Sequence, residues 1–309
     1  MRTVFMGNPN FAIPTLKAIN QSKHELIAVV ANSPKKMGRG RNHSYTPVGQ
    51  FSKDNGIKLL EPDSLSTDEF KNSLYALKPD IFIVVAYKIL PKKIIQIPFH
   101  GAINLHASLL PKYRGAGPIQ WALMNGDEET GVTIFQIRSR VDTGDILLQK
   151  EIKICKEDDM LSLGTRLCNH GATMIIKILD DIDSGMPLKP IKQDSSLATS
   201  APKINKEMTY VQWEWPSKKI HNWVRGLSPY PGMSTLYKGK RLSIYKTFTI
   251  DEDSMRPGSV ISARDNQLIV STGKGALGIL ELQLEGKKKM KINDFLRGVD
   301  IQSGEFLGK

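Results

Sequence analysis

The sequence predicts an α/β fold, in which an N-terminal doubly wound, mostly parallel, Rossmann-like sheet is followed by a C-terminal OB-like β-barrel. Three observations predict it. Apolar runs alternate with helical segments in the first half of the chain, and short alternating segments crowd its last quarter. The chain also has 309 residues, a length that suits two domains.

The N-terminal strands are continuous apolar runs without polar alternation, and a helical pattern over Phe11–Ile19 follows the first of them. Runs of this kind predict parallel strands that are covered on both faces. Ligands are expected beyond the carboxyl ends of such strands. Gly7 lies at one of these ends, but no G-x-G-x-x-G motif follows, so a dinucleotide site has little support. The predicted strands are Arg2–Met6, Leu26–Ala31, Asp80–Ala86 and Ala102–Leu105.

The middle of the chain completes the first domain and leads into a linker. Strands are predicted over Thr130–Gln136 and Ile146–Ile154, followed by a long helix over Met160–Asp183. The next stretch is rich in Pro, Ser and Lys and lacks periodicity. The sequence therefore predicts a catalytic domain over residues 1–184, a linker over 185–205 and a C-terminal domain over 206–309.

The last hundred residues predict one helix and then a small barrel. The helix covers Ser217–Leu227, and turn signals such as Lys238-Gly239-Lys240 separate the strands that follow. Five short strands in this space suggest a closed barrel of a kind that often binds nucleic acid or sugars. The predicted strands are Met233–Tyr237, Arg241–Thr249, Ser259–Ala263, Gln267–Ser271 and Leu277–Leu284.

Composition limits the partners and the compartment. The formal charge is +12, and +7 of it lies after residue 200, which favours a polyanionic partner unless the whole proteome is basic. Two cysteines, Cys155 and Cys168, are too few for a disulfide framework or a Cys-based zinc site, so we expect a reducing cytoplasm. No apolar run reaches the roughly 18 residues that span a bilayer. The histidines show no ligand spacing, so we expect no metal.

The densest chemical signal is the stretch that begins at Asn104 and His106. These residues are two apart at the end of a predicted buried strand, so their side chains share a face. An amide beside an imidazole can stabilise an oxyanion during acyl transfer, and the imidazole can pass a proton near neutral pH. A hydrogen-bonded pair without catalytic function is the plainer interpretation of these two residues alone.

Two loops add to this signal. Asp142-Thr143-Gly144-Asp145 has the composition of an ordinary turn, yet a carboxylate returned to Asn104 and His106 would complete an acid–base set without metal. The stretch from Ser33 to His43 contains four basic residues and two glycines. It is either a solvated surface loop or a loop that contacts phosphates when nucleic acid binds.

Taken together, these stretches resemble the methionyl-tRNA formyltransferases. Asn104-x-His106-x-Ser108-Leu-Leu-Pro111 followed by Arg114-Gly115 matches the signature of folate-dependent formyltransferases, and Asp142-Thr-Gly-Asp matches its companion. The likeness extends to Ala201-Pro-Lys203 and to Arg225-x-x-x-Pro229.

The resemblance implies a donor, an acceptor and the residues that hold them. The donor would be 10-formyltetrahydrofolate, a co-substrate, and the acceptor would be the α-amine of initiator methionyl-tRNA. Asn104, His106 and Asp142 would form the catalytic trio. The folate would be lined by Ser108, Leu109, Leu110, Pro111, Val85, Tyr87 and Leu90, and the tRNA would meet Arg39, Lys36 and Arg41. The expected protein is a cytoplasmic enzyme, without a membrane or metal partner and monomeric.

Two other functions stay open at this point. A folate-dependent formyltransferase acting on a small amine, such as an amino-sugar nucleotide, can also keep a C-terminal barrel. A non-catalytic RNA-binding module built on an enzyme-like sheet is the second alternative, and the complete Asn104, His106 and Asp142 set argues against it. A requirement for charged initiator tRNA would separate the three.

Overall fold

A computed structural model describes residues 1–37, 42–251, 255–264 and 266–308. The chain divides into two compact units, each built from more than one segment. The first unit contains Met1–Pro118, Thr130–Lys153 and Gly164–Ala201, and the second contains Ile119–Glu129, Ile154–Leu163 and Pro202–Lys309. The boundaries inferred from the sequence, with a linker at 185–205, stay a prediction.

The strands up to residue 201 form one large sheet and two small pairs. They are β1 (Arg2–Gly7), β2 (Glu25–Val30), β3 (Lys35–Met37), β4 (Asn42–Ser44), β5 (Leu59–Leu60), β6 (Ile81–Val85), β7 (Ala102–His106), β8 (Arg114–Gly115), β9 (Glu129–Gln136), β10 (Ile146–Lys153) and β11 (Ser200–Ala201). The large sheet has the order β10-β9-β7-β6-β1-β2-β5. Its strands from β7 to β5 pair in parallel, and β9 runs antiparallel to β7. This arrangement confirms the predicted mostly parallel sheet.

Helices connect these strands. They are α1 (Ile13–Asn20), α2 (Pro47–Asp54), α3 (Asp68–Ala76), α4 (Lys92–Ile95), α5 (Pro118–Asn125) and α6 (Met160–Asp183). Two of them begin at a threonine cap, where the Thr46 hydroxyl accepts from the Gly49 N–H and the Thr67 hydroxyl accepts from the Phe70 N–H. Such caps satisfy backbone donors that the first helical turn leaves unpaired. The apolar runs and caps therefore determine where these elements begin.

The core of the first unit lies on both faces of the sheet, as unbroken apolar strands predict. Val4 and Met6 of β1 pack with Phe82 and Val84 of β6 in one buried cluster. Phe5, between them on the opposite face of β1, is also fully buried. Alternate residues of one strand thus enter two separate layers, because strand side chains alternate between faces. The buried sheet holds the carboxyl ends of its strands in fixed positions.

The second unit contains an antiparallel sheet and two helices. Its elements are α7 (Ser217–Leu227), β12 (Met233–Tyr237), β13 (Lys240–Ile250), β14 (Val260–Ser262), β15 (Leu268–Ser271), β16 (Ala276–Leu284), β17 (Met290–Lys291) and α8 (Ile292–Gly298). The order is β12-β13-β16-β15-β14, and β17 pairs with β16. Helix α7 buries Ile220, Val224 and Leu227, whose three- and four-residue spacing forms one helical face.

This sheet is a half-barrel, whereas the sequence pattern suggested full closure. In the described part of the chain, β12 and β14 end the strand order without pairing to each other. Short bridges protect both edges: Tyr210 pairs with Ser234 of β12, and Ser259 next to β14 pairs with Phe306. Edge strands need such cover because their free N–H and C=O groups invite association. The predicted OB-like architecture holds, with covered edges in place of closure.

The second unit also takes in two segments from the middle of the chain. Trp121 of α5 donates its indole N–H to the Pro202 carbonyl at 2.8 Å, and its ring lies 6.1 Å from that of Trp223. Arg225 donates to the carbonyls of Cys155 and Asp158, both at 2.8 Å. These contacts attach residues 119–129 and 154–163 to Pro202 and to helix α7. Among the described residues, no helix has the length and apolar character needed to cross a bilayer.

Candidate active site

Strand β7 brings Asn104 and His106 to one face at the carboxyl end of the parallel sheet. In the register of β7 with β9, Asn104 lies opposite Phe135 and His106 lies opposite Thr133. His106 is 6% exposed, and its ring makes an edge contact with Phe135 at 6.4 Å between centroids. Asn104 is half-buried. The shared face inferred from the spacing of the two residues agrees with this register.

The hydrogen bonds of His106 determine which ring nitrogen can react. Its Nε2 lies 2.9 Å from the carbonyl oxygen of Tyr113. A carbonyl can only accept, so Nε2 carries the proton and donates it there. The Nδ1 atom of the neutral ring then has a free lone pair, and it lies 3.8 Å from Asp142 Oδ2. Nδ1 is therefore the nitrogen that can take up a proton, with a carboxylate beside it.

Asp142 is held in position by the main chain on the far side of the site. The N–H of Gly115 donates to Asp142 Oδ2 at 2.8 Å, which is the same oxygen that faces His106. The Asp142 side chain is 10% exposed. Its backbone has φ of 52°, a left-handed conformation uncommon for a residue other than glycine. One carboxylate oxygen of Asp142 therefore lies close to both Gly115, which is 27 positions earlier in the chain, and His106, which is 36 positions earlier.

Asn104 keeps its amide available. In the part of the chain that the structure describes, its side chain makes no hydrogen bond, although its backbone is fixed between β6 and β9. The three residues predicted to be catalytic are therefore an amide without a partner among the described residues, an imidazole with one hydrogen-bonded nitrogen, and a carboxylate that accepts from a backbone N–H. Such a set can donate to a developing oxyanion and move a proton.

The residues expected to line the folate differ in their surroundings. Ser108 is fully buried, and its hydroxyl donates to the Lys112 carbonyl at 2.6 Å, while Leu110 packs in a small core cluster. Leu109 and Pro111 are half-buried and retain accessible surface. Leu109 and Pro111 thus have the more accessible side chains of the four, and the assignment of all four to the folate pocket stays a prediction.

The other residues expected to line the folate lie at the end of β6 and shortly after it. Val85 is fully buried at the end of the strand, and Leu90 packs in the core cluster of the first unit. Tyr87 is half-buried at the rim of the same cluster, and its hydroxyl is buried with no hydrogen-bond partner among the described residues. Burial raises the pKa of Tyr87 to about 12. An unpaired buried hydroxyl is costly, so this atom is suited to a polar atom of a bound ligand.

The basic loop is only partly within the described structure. Lys36 lies in the hairpin formed by β3 and β4, whereas Arg39 and Arg41 lie outside the described residues. Beside this hairpin is an open cavity of about 710 Å³, with Lys17, Lys35, Tyr45 and Gln50 in its lining. Two lysines and a tyrosine are groups that suit a phosphate and a stacked base.

Sequence reasoning missed the residues that return to the site from the segment between 185 and 205. Thr199 accepts from the Tyr113 N–H through its hydroxyl at 2.8 Å and from the Arg114 N–H through its carbonyl at 2.9 Å. Strand β11 then pairs in parallel with β8. The stretch has no periodicity and reads as solvated, so no local signal pointed to these contacts.

Among the described residues, no cluster of three His, Cys, Asp or Glu side chains could hold a metal ion.

Comparison with known families assigns the class. Residues 1–179 match the family described as formyl transferase, and residues 203–300 match the formyl transferase C-terminal domain. The fold and these matches define a formyl transferase.

Two relatives show which family of formyl transferases the chain belongs to. A methionyl-tRNA formyltransferase of Caldanaerobacter subterraneus subsp. tengcongensis is 44% identical over 310 residues, covering 99% of this chain and 100% of the relative. Another, from Pelotomaculum thermopropionicum, is 38% identical over 312 residues, covering 100% of this chain and 99% of the relative. The chain belongs to the methionyl-tRNA formyltransferase family, which confirms the resemblance seen in its motifs.

Solved structures support the fold. WlaRD, a sugar 3N-formyl transferase crystallised in the presence of dTDP and 5-N-formyl-THF, has a TM-score of 0.68 at 22% identity, covering 93% of this chain and 99% of that chain. A methionyl-tRNA formyltransferase from Clostridium thermocellum has a TM-score of 0.56 at 17% identity, covering 91% of this chain and 99% of that chain. At these identities, the likeness concerns the fold alone.

Proposed function

We propose that this enzyme transfers the formyl group of 10-formyltetrahydrofolate to the α-amine of initiator methionyl-tRNA through Asn104, His106 and Asp142. The observation that carries the proposal is the 3.8 Å approach of His106 Nδ1 to Asp142 Oδ2. Asn104, two residues before His106 on β7, makes no side-chain hydrogen bond within the described residues. Family membership supports the reaction, and the geometry supports the roles of the three residues.

The folate donor supplies a formyl carbon attached to nitrogen, which an amine can attack. Two observations fit such a ligand: within the described part of the chain, the buried Tyr87 hydroxyl and the Asn104 amide at the strand end have no hydrogen-bond partner. Leu109 and Pro111 offer partly exposed apolar surface. These residues would bind the donor, and the Asn104 amide would donate to the formyl oxygen.

His106 and Asp142 divide the remaining work. Because Nε2–H is committed to the Tyr113 carbonyl, His106 can meet the formyl oxygen only through Nδ1. Once Nδ1 has taken up a proton, it donates Nδ1–H to the oxyanion that forms when the amine attacks, and the Asp142 carboxylate stabilises this cation until Asp142 accepts the proton of the amine. The amine loses one proton to Asp142, directly or through water. The same proton passes to the folate nitrogen as its bond to the formyl carbon breaks, so charge and protons balance.

Basic side chains would bind the tRNA that carries the acceptor amine. Lys36, Arg39 and Arg41 would meet the tRNA at the acceptor end, and the lysines beside the adjoining cavity would neutralise further phosphates. A cytoplasmic, monomeric enzyme without a metal remains our expectation from the sequence. A small-molecule acceptor is disfavoured, because the relatives aligned over the full chain are methionyl-tRNA formyltransferases.

The test is direct. The enzyme is incubated with 10-formyltetrahydrofolate and methionyl initiator tRNA, and the aminoacyl group is analysed by mass spectrometry. Formyl-methionine is expected, and its formation should be unaffected by EDTA. An amino-sugar nucleotide serves as the competing acceptor. Formylation of the sugar with unmodified methionyl-tRNA would reject the proposal in favour of the small-molecule reaction.

A further inference from the structure

Gln193 joins the two loops that flank the site. Its Nε2 donates to the carbonyls of Asp142 at 3.0 Å and Gly144 at 2.8 Å. Its Oε1 accepts from Arg114 Nε at 3.1 Å and Nη2 at 2.7 Å. The guanidinium has only donors and the two carbonyls have only acceptors, so the orientation of the amide is unambiguous. Every hydrogen-bonding position of this side chain is used.

The position of Gln193 is itself well fixed. The residue is 7% exposed. Two residues earlier, Ile191 exchanges a pair of 2.8 Å backbone hydrogen bonds with Ile146 at the start of β10. The next residue, Asp194, accepts from the Ser196 N–H and caps a short helical turn. A buried amide on an anchored backbone can restrain the loop that it contacts.

Gln193 contacts the loop at the residue with the least favourable backbone conformation, Asp142. Asp142 has a left-handed backbone, a conformation that is strained for a non-glycine residue and persists where its surroundings impose it. Gln193 holds the carbonyl of this residue, and the Gly115 N–H holds its carboxylate. Gly115 follows Arg114, the second partner of Gln193. One side chain therefore restrains both the carboxylate residue and the strand that anchors the carboxylate.

We propose that Gln193 is a positioning residue for formyl transfer, which acts by holding the Asp142 carboxylate at His106. The inference rests on the catalytic role proposed for Asp142. Loss of the amide frees the Asp142 backbone and moves the carboxylate away from Nδ1, while the residues around the donor keep their places. Misplacement of a reacting group by about 1 Å can cost on the order of 100-fold in rate.

Two substitutions separate the donor side of Gln193 from its acceptor side. Gln193→Leu removes all four hydrogen bonds. Gln193→Glu still accepts from Arg114 but offers no N–H to the two carbonyls and places a charged oxygen against them. Each variant should lower kcat by roughly 10- to 100-fold, with KM for the folate changed by less than about 3-fold. A Gln193→Glu enzyme with normal kcat would overturn the proposal, because the Arg114 contact alone would then suffice.

A double-mutant cycle tests whether the effect passes through Asp142. In an Asp142→Ala background, Gln193→Leu should lower kcat by less than about 3-fold, because the carboxylate is already absent. Gln149→Leu is the matched control, since Gln149 also donates to a backbone carbonyl, that of Leu110, but makes no hydrogen bond to the Asp142 loop among the described residues. Its effect should be the same in both backgrounds.

The outcomes are distinguishable. Equal losses from Gln193→Leu in the wild-type and Asp142→Ala backgrounds would show a general structural role and reject the positioning role. Normal activity of Asp142→Ala itself would instead reject the catalytic role of Asp142. Thermal melting of each variant separates loss of rate from loss of folded protein, and the Gln193→Glu result decides the question if Gln193→Leu does not fold.

Discussion

The backbone N–H of Gly115 donates to the carboxylate of Asp142 at 2.8 Å, which fixes the oxygen that faces His106. Gly115 can do this because it has no side chain. Its φ is 127°, and a Cβ there would lie 2.6 Å from the Ala201 carbonyl oxygen. The close pairing of β8 with β11 therefore depends on glycine, and so does the position of the carboxylate.

Gly115→Ala should lower both stability and rate. The added methyl group forces β8 away from Ala201 and adds backbone strain, at a combined cost of about 1–3 kcal/mol. Displacement of the N–H from Asp142 should lower kcat by at least about 10-fold. Gly185→Ala is the control, because Gly185 also has a positive φ but a Cβ there would have no described atom within 4 Å. Equal kcat values for the two variants would contradict the anchoring role of Gly115.

His106→Ala and Asp142→Ala should each lower formyl transfer by at least about 100-fold, the low end for loss of oxyanion or acid–base assistance. Folate binding, followed by fluorescence, should persist, because other residues are expected to line its pocket. His100→Ala, at the exposed amino-terminal side of β7, is the control. Turnover near the wild-type value in either site variant would remove that residue from the mechanism.

Stability of the second unit should fall in acid because of His221. Its Nδ1 lies 2.9 Å from the Thr247 hydroxyl, and burial, with the charge of Arg225 adding, lowers the pKa of His221 to about 4. An unfolded histidine titrates near 6.5, so the unfolded chain binds the proton first. The stability that the neutral, buried His221 contributes is therefore fully present above about pH 6.5 and is lost as the pH falls from 6.5 towards 4.

Urea unfolding at pH 7.5 and pH 5 measures the effect. Between pH 7.5 and pH 5, the free energy of unfolding should fall by about 2 kcal/mol more in the wild-type protein than in His221→Gln. The variant lacks the imidazole whose protonation is linked to unfolding. His43→Gln, at an exposed histidine of the first unit, should behave like the wild-type protein. The same pH dependence in wild type and His221→Gln would assign the acid sensitivity to other groups.

Arg39→Ala should separate placement of the amine from binding of the tRNA. A loop residue near the acceptor end contributes more to orientation than to affinity, so kcat/KM should fall while the Kd for tRNA changes little. Folate binding should be unaffected. Arg264→Ala provides the surface control. If both variants lost the same activity, the loop around Arg39 would be an ordinary exposed connection.

The C-terminal lysines should contribute to tRNA affinity through phosphate neutralisation. Lys287→Gln and Lys288→Gln should each flatten the salt dependence of binding by about 0.7–0.9 in log–log slope if they contact phosphates. Lys289 already pairs with Glu281 at 2.7 Å, so its substitution should matter less. Removing the whole C-terminal part, with a chain that ends near Asp194, is a poorer test of these contacts. Such a chain would also lack the Ser200–Ala201 strand that pairs with β8. Unchanged slopes would identify these lysines as a solvated surface.

The sequence by itself determined the longest elements and the class of reaction. The helices Met160–Asp183 and Ser217–Leu227 have the predicted bounds, because helical periodicity is a local property of the chain. The buried strands were equally visible, since a strand covered on both faces must be apolar throughout. The motif from Asn104 to Gly115 and the Asp142 loop also indicated the formyl transferase class.

Only the tertiary structure decided how distant segments meet. It placed Gln193 and Thr199 against residues 49 to 86 positions away, and it assigned residues 119–129 and 154–163 to the second unit. It also left the C-terminal sheet as a half-barrel with bridged edges. Hydrogen bonds between such segments depend on the path of the whole chain. A glutamine in an aperiodic stretch has the same local pattern whether it is solvated or holds a carboxylate in place.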